Sequence, residues 1–262
     1  MFGSRKLVIG MLHAPALPGS PGNKMDLGGI VERVLEDAGA LAEGGIEAFV
    51  IENFGDVPFY PGQVPPHTVA FLTALCKEVK RYHTNLPLGV NVLRNDAESA
   101  LAIAAATGAE FVRVNIHTGA RLTDQGVVEG MAHQTLRYRK LLGVDVKIFA
   151  DVDVKHSAPL AARDLKTEVE ELVSRGCADA VIVTGAGTGH QTSFDDLKVV
   201  KSAAVETPVI AGSGVNVSNV AEVFKIADAV IVGTSLKRDG ITTNPVDPER
   251  VRKFMEAVGH RT

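Results

Sequence analysis

TPVIAGSGVN (Thr207–Asn216) and ADAVIVGTSLK (Ala227–Lys237) decide the fold. In each, a short β-branched run stops on small residues and a helical pattern follows. The pattern predicts two neighbouring strand ends with free backbone N–H groups beside a helix N-terminus, which is what a phosphate dianion requires. In an eight-fold β/α barrel, the loops after the seventh and eighth strands commonly hold phosphate. Gly212, Ser213, Gly214, Gly233, Thr234 and Ser235 are therefore the expected phosphate-binding residues.

Working outward, six more apolar runs precede these two: Leu7–Leu12, Ala48–Glu52, Leu88–Leu93, Phe111–Ile116, Val146–Val152 and Ala180–Thr184. With Val209–Ala211 and Ala229–Val232 they make a set of eight, rich in Val and Ile as parallel strands buried on both faces should be. Between them, segments such as Ile30–Gly45 and Ser99–Glu110 space their apolar residues by three and four. Gly45, Gly108, Gly143 and Gly176 each stand shortly before the next strand, the C-cap position of an alternating fold. The expectation is a (β/α)8 TIM barrel forming one domain over residues 1–262. A doubly wound sheet would need a GxGxxG turn after the first strand, and the Pro-rich His13–Gly22 segment has none. The long connections Ala14–Leu27, Asn53–Pro66, His117–Gly130 and Gly185–Ser193 all follow strands, on the face where barrel active sites form.

Composition narrows the class. At 262 residues the chain matches the roughly 250 of such a barrel. A net charge of −4 and the absence of Trp argue against nucleic acid as a partner. Cys76 and Cys177 have no CxxC spacing, which points to a reduced, cytoplasmic chain. No apolar stretch approaches the roughly 20 residues of a membrane span, so any membrane contact would be peripheral. Barrels of this size commonly pair through outer helices, so a homo-oligomer is expected.

Side chains alternate along a strand, and parity separates barrel-facing from helix-facing residues. In Lys147–His156 the valines Val152 and Val154 suit the helix side. Asp151, Asp153 and Lys155 then point inward at the mouth. In Phe111–His117, Arg113, Asn115 and His117 share the inward face. The same parity turns in His13, Glu52, Asn91 and Thr184. Charges crowded in a barrel mouth are costly unless they meet each other, a metal or a ligand. Asp151, Asp153, Lys155 and Glu52 form the candidate acid–base set. His13, Asn91, Arg113, Asn115 and Thr184 are candidate substrate contacts. Arg113 has a second reading as the neutraliser of a neighbouring aspartate, and His13 as a hydrogen-bonded structural residue. Proton transfer ranks above a Schiff base on Lys155, because nearby carboxylates raise a lysine pKa. No firm cofactor follows. Glu52, Asp151, Asp153 and His156 are the weaker alternative, a set of ligands for Mg²⁺ or Mn²⁺. The Gly-rich Thr184–His190 run has the character of a ligand-gripping loop or of plain mobility, and Lys237-Arg238 is either a phosphate contact or a solvated pair.

IGMLHAPALPGSP (Ile9–Pro21), IENFGDVPF (Ile51–Phe59), RVNIHTGA (Arg113–Ala120), DVDVKHS (Asp151–Ser157) and GSGVN…VGTSLK (Gly212–Lys237) resemble the BtpA/SgcQ family, and the likeness runs from Leu7 to about Phe254. The resemblance implies a barrel similar to ribulose-phosphate-binding and phosphoribosylanthranilate isomerase-like proteins, with phosphate at Gly212–Gly214 and Gly233–Ser235. It implies two functional classes. Cyanobacterial members are linked to photosystem I stabilisation at the membrane periphery, and bacterial relatives sit in sugar-utilisation contexts and are regarded as nucleosidase-like. Members also occur in organisms without a photosystem, so the first role need not transfer. The two expectations are an enzyme that acts on a phosphorylated sugar or ribose-containing molecule, as an isomerase, lyase or nucleosidase-like hydrolase, and a non-catalytic assembly factor on the same fold.

Overall fold

Strands made of Val and Ile on both faces are stable only between two apolar layers, and this chain builds both. The computed structural model describes residues 6–154, 156–185 and 193–259. In chain order the elements are β1 (Leu7–His13), α1 (Leu27–Glu43), β2 (Ala48–Glu52), α2 (Pro66–Tyr82), β3 (Leu88–Asn91), α3 (Ala97–Thr107) and β4 (Phe111–Val114). Then come β5 (Ala120–Thr123), β6 (Gly126–Glu129), α4 (Ala132–Leu142), β7 (Lys147–Val152), β8 (Ser157–Pro159) and α5 (Leu165–Ser174). The last third holds β9 (Ala180–Val183), α6 (Phe194–Ala203), β10 (Val209–Ala211), α7 (Val220–Val223), β11 (Ala229–Val232) and α8 (Pro248–Val258). Eight of the strands close a parallel barrel in the order β1-β11-β10-β9-β7-β4-β3-β2, with β1 pairing β2.

Helix boundaries follow local chemistry. Asp26, Asp96, Asp164, Ser193 and Asp247 cap five helix starts by accepting from backbone N–H groups one turn in. Gly108 and Gly143 close α3 and α4 with φ of 77° and 66°, a conformation that costs a side chain about 1 kcal/mol or more.

Parity along the strands produces two separate cores. Val8, Phe49, Val90, Val112 and Ile148 face the helices. Leu7, Ile9, Val50, Phe111, Phe149, Ile182, Ile210 and Ile231 fill the barrel itself. Phe111 and Phe149 stack inside it with ring centroids 4.5 Å apart. Gly89 makes room for them, since a Cβ there would fall 2.1 Å from the Phe111 ring. The barrel is plugged by these side chains, so anything that binds must do so above them.

Two connections carry an addition that the apolar runs do not announce. β5 and β6 form a hairpin after β4, and β8, from the loop after β7, joins it as a third antiparallel strand in the order β6-β5-β8. This small sheet stands at the mouth beside the ends of β4 and β7.

Candidate active site

One alternation above the apolar plug, the inward positions turn polar. His13 follows Met11, Glu52 follows Val50, Asn91 follows Gly89, Arg113 follows Phe111 and Asp151 follows Phe149. Arg113 and Asp151 form a fork-to-fork pair, Nε to Oδ1 at 2.9 Å and Nη2 to Oδ2 at 2.8 Å, both buried. Burial opposes the Arg113 charge, but the Asp151 carboxylate outweighs it and holds the guanidinium above its ordinary value. Of the two readings open for Arg113, neutralisation of a neighbouring aspartate is the one this contact matches. Asn115 Nδ2 reaches the same carboxylate at 3.4 Å. On the other side, Asn91 Nδ2 donates to Glu52 Oε2 at 3.0 Å, and His13 Nε2 stands 3.7 Å from Glu52 Oε1. Phe54 packs edge-on against the His13 ring at 4.8 Å.

Several expected inward residues are placed otherwise. Asp153 adopts φ 47°, which ends the strand alternation after Val152, and its side chain stays 62% exposed. It pairs with Arg121 Nη1 at 2.7 Å, and the same guanidinium binds Glu168 at 2.6 Å. Asp153 is therefore a rim residue tied to β5 and α5, not part of the inward cluster. Lys155 and His190 lie outside the described residues. His117 is also not inward: β4 stops at Val114, and the ring turns to the Gly176 carbonyl, with Nε2 at 2.9 Å. Burial pulls its pKa below the ordinary histidine value. Lys237 is neither solvated nor at the expected phosphate site. It is 1% exposed and pairs with Asp37 of α1 at 2.6 Å.

The metal alternative loses its geometry. Among the described residues no three His, Cys, Asp or Glu side chains converge well enough to hold an ion. Asp151 is committed to Arg113, Asp153 to Arg121, and Glu52 lies beside Asn91 and His13. His156 takes φ 57° in the loop after β7.

The glycine turns after β10 and β11 have their own logic. Gly212 lies against β9, where a Cβ would fall 2.4 Å from Ile182 and 3.1 Å from Thr184. Gly214 takes φ 68°. The hydroxyls of this region tie the loops together: Ser213 Oγ accepts from Gly185 N at 2.7 Å, Ser235 Oγ donates to the Val215 carbonyl at 2.8 Å, and Thr234 pairs with Thr242 at 2.9 Å. Thr234–Leu236 is a 3₁₀ turn, so the Thr234 and Ser235 N–H groups have no acceptor within the turn. The helix after β10 is a single turn, α7. These two strand ends therefore lead into short turns rather than into a long helix N-terminus.

Of the cavities at this end of the barrel, two border the inward polar layer. One, about 340 Å³, is lined by Glu52, Arg94, Arg113 and Asn115, with Phe54, Phe59 and the hairpin residue Asp124. The other, about 200 Å³, lies between the ends of β4 and β7, the small sheet and α5, and includes Asp151 and Asp153. Among the described residues, neither takes a wall from Gly212–Gly214 or Gly233–Ser235. The link runs through His13. A Cβ on Gly233 would fall 2.7 Å from His13 Cε1, and His13 in turn faces Glu52.

Sequence reasoning missed Arg94, Arg121, Asp124 and the two phenylalanines. Arg94 is 4% exposed and lines the larger cavity. Burial pulls its pKa below the ordinary arginine value, against the opposing pull of Asp151, Asp124 and Glu52. The hairpin did have a signal, the two-residue turn Asp124-Gln125 before Gly126, flanked by alternating residues.

The BtpA family model matches residues 4–260. Photosystem I biogenesis protein BtpA of Synechocystis sp. is 44% identical over 257 residues, 98% of this chain and 89% of its own. An uncharacterised protein of Thermococcus kodakarensis is 46% identical over 252 residues, 96% of this chain and 95% of its own. Among solved structures, N-(5'-phosphoribosyl)anthranilate isomerase from Pyrococcus furiosus superposes with a TM-score of 0.58 at 16% identity, covering 98% of this chain and 100% of that one. That likeness is one of fold. Among the described residues no helix is long and apolar enough to cross a membrane.

Proposed function

The chain belongs to the BtpA family, and from that premise and the geometry of the mouth we propose an enzyme that binds a phosphorylated sugar or ribose-containing small molecule. Its phosphate rests on the backbone of Gly212–Gly214 and Gly233–Ser235. Its sugar extends across His13 toward Glu52, Asn91 and Asn115. The observation that carries this reading is the position of His13, in contact with the Gly233 turn on one side and 3.7 Å from Glu52 on the other. The fold likeness to an enzyme whose name specifies a phosphoribosyl compound supports the ligand class.

Glu52 is the proton-transfer group in this reading. It lines the larger cavity at the end of β2, beside Asn91 and His13 and within electrostatic reach of the Arg94 and Arg113 guanidiniums. Asp151 serves differently. Locked to Arg113, it holds Asn115 in place and keeps the guanidinium charge compensated. The chemistry is an isomerisation or a C–C or C–N cleavage, each of which needs a proton moved at a carbon, oxygen or nitrogen next to the sugar. Asp153, at the rim, orders the loop after β7 through Arg121.

A second reading, a non-catalytic assembly factor, draws support from the name of the Synechocystis relative. In it the outer surface acts, as a homo-oligomer or at a membrane periphery, and the mouth is inert. Thermal shift against phosphosugars, nucleotides and divalent metals separates the two. A ligand at about 100 times its Kd adds about 2.7 kcal/mol to the stability of the native state. A phosphosugar hit that is lost in Gly233→Val supports the enzyme. Silence across the panel supports the assembly factor.

A further inference from the structure

A third cavity, about 380 Å³, opens between the loops after β1 and β2 and the first turn of α2. Its wall is apolar and rich in rings: Pro21, Pro58, Phe59, Tyr60 and Pro61. Asp56 is the one carboxylate in this lining, and among the described residues no Lys or Arg joins it there. The one basic side chain is His67. Asp56 is half-buried and held by two uncharged donors, Leu17 N on Oδ1 at 2.7 Å and Asn53 Nδ2 on Oδ2 at 3.1 Å, both from residues of the same lining. A carboxylate oxygen has two lone pairs, so each keeps one for a further donor. Burial pushes the Asp56 carboxyl above its ordinary value, against the pull of those two donors and of His67.

These features restrict what can fill the space. An anion would meet Asp56 with no Lys or Arg in the lining to offset it. A polyol would turn its hydroxyls against proline and phenyl faces. A hydrocarbon would cover those faces but strip water from a carboxylate that no fixed cation compensates, which is costly. A bare metal ion lacks ligands, since among the described residues no three His, Cys, Asp or Glu side chains converge to hold one. An ammonium on an apolar body meets both demands, because its N–H groups donate to the carboxylate and its charge is attracted to aromatic faces. We propose that this cavity binds a small primary amine with an aryl or branched alkyl body, the ammonium on Asp56 and the body against Phe59, Tyr60 and the proline rings. The volume of about 380 Å³ suits a small ligand, whose pockets begin at about 300 Å³. Phe59 and Leu93 line this cavity and the one at Glu52 alike, so the amine lies beside the proposed phosphosugar site, across a shared wall. Amine binding here does not require the phosphosugar reading to hold.

The test is calorimetric titration of the full chain with phenethylamine, phenethyl alcohol, hydrocinnamate and ethylamine. Phenethylamine should bind about tenfold or more tighter than the alcohol, which has the same body, in keeping with one charge-assisted hydrogen bond. Hydrocinnamate, which carries a carboxylate in place of the ammonium, and ethylamine, which lacks the ring, should each bind weaker than phenethylamine by at least that factor. Asp56→Asn, which keeps an acceptor for Leu17 N, should bring phenethylamine down to the level of the alcohol and leave the alcohol itself within roughly twofold. If Asp56→Asn fails to fold, a wild-type crystal soaked with phenethylamine decides the matter. Its nitrogen within hydrogen-bonding distance of Asp56 supports the site, and density only elsewhere, or none, overturns it. An alcohol that binds as tightly as the amine overturns the proposal, and so does an amine advantage that survives Asp56→Asn. No binding of phenethylamine at millimolar concentration overturns it as well. Each of these outcomes leaves the phosphosugar reading to its own panel.

Discussion

Arg113 and Asp151 meet through two parallel hydrogen bonds on the paired strands β4 and β7, directly above the stacked rings of Phe111 and Phe149. Two opposite charges thus share a buried layer just above the apolar plug. Asp151→Asn should destabilise the protein by about 3–5 kcal/mol, because it leaves a buried guanidinium uncompensated. The double variant Arg113→Met, Asp151→Leu should recover most of that loss. Chemical denaturation of the three proteins checks both statements.

Glu52→Gln keeps the shape of the side chain and an acceptor for Asn91. Stability should change by no more than about 1 kcal/mol, and phosphosugar affinity by only a few-fold. Turnover, once the substrate is known, should fall by about a hundredfold or more, the usual contribution of a positioned acid or base. Titration and kinetics on the same preparation separate the two effects.

Lys237, buried against Asp37, has a structural role in place of a phosphate contact. Asp37 also accepts from Val246 N at 2.8 Å and faces Arg33 at 3.3 Å, so the pair fastens the segment after β11 to α1. Lys237→Ala should cost about 3–5 kcal/mol of stability. Phosphosugar affinity measured well below the melting temperature should be unchanged.

His117 gives the fold a defined pH dependence. Burial lowers its folded pKa below the ordinary 6.5, while the unfolded chain titrates near that value. As pH falls through 6.5 the unfolded state takes up a proton that the folded state does not, so stability present above that pH is lost below it. His83 is shifted in the same direction, again by burial, and adds to the trend. Unfolding free energies at about pH 7.5 and about pH 5.5 should differ more in the wild type than in His117→Gln.

How far the chain can be read depends on how local each feature is. The eight strands are legible because Val, Ile and other apolar residues dominate each, and the polar layer is legible wherever the strand stays regular, at Glu52, Asn91, Arg113 and Asp151. Parity misleads at Asp153 and His117 because both lie past the strand's last residue, where backbone angles no longer alternate. Arg94 and Lys237 are opaque for another reason. Their burial comes from partners far along the chain, 200 residues away for Lys237 and Asp37, and no local pattern encodes that. The β5–β6 hairpin is within reach of a closer look at Asp124-Gln125-Gly126, but its pairing with β8 is not.

An anion seated where β10 and β11 end, with its sugar reaching over the imidazole of His13, is the central claim. A crystal structure of the full chain with ribose 5-phosphate addresses it most directly. Phosphate density within hydrogen-bonding distance of the Gly214, Thr234 and Ser235 amides, with the sugar turned to Glu52, is the expected result. Phosphate density elsewhere, with these amides facing only solvent, would contradict it.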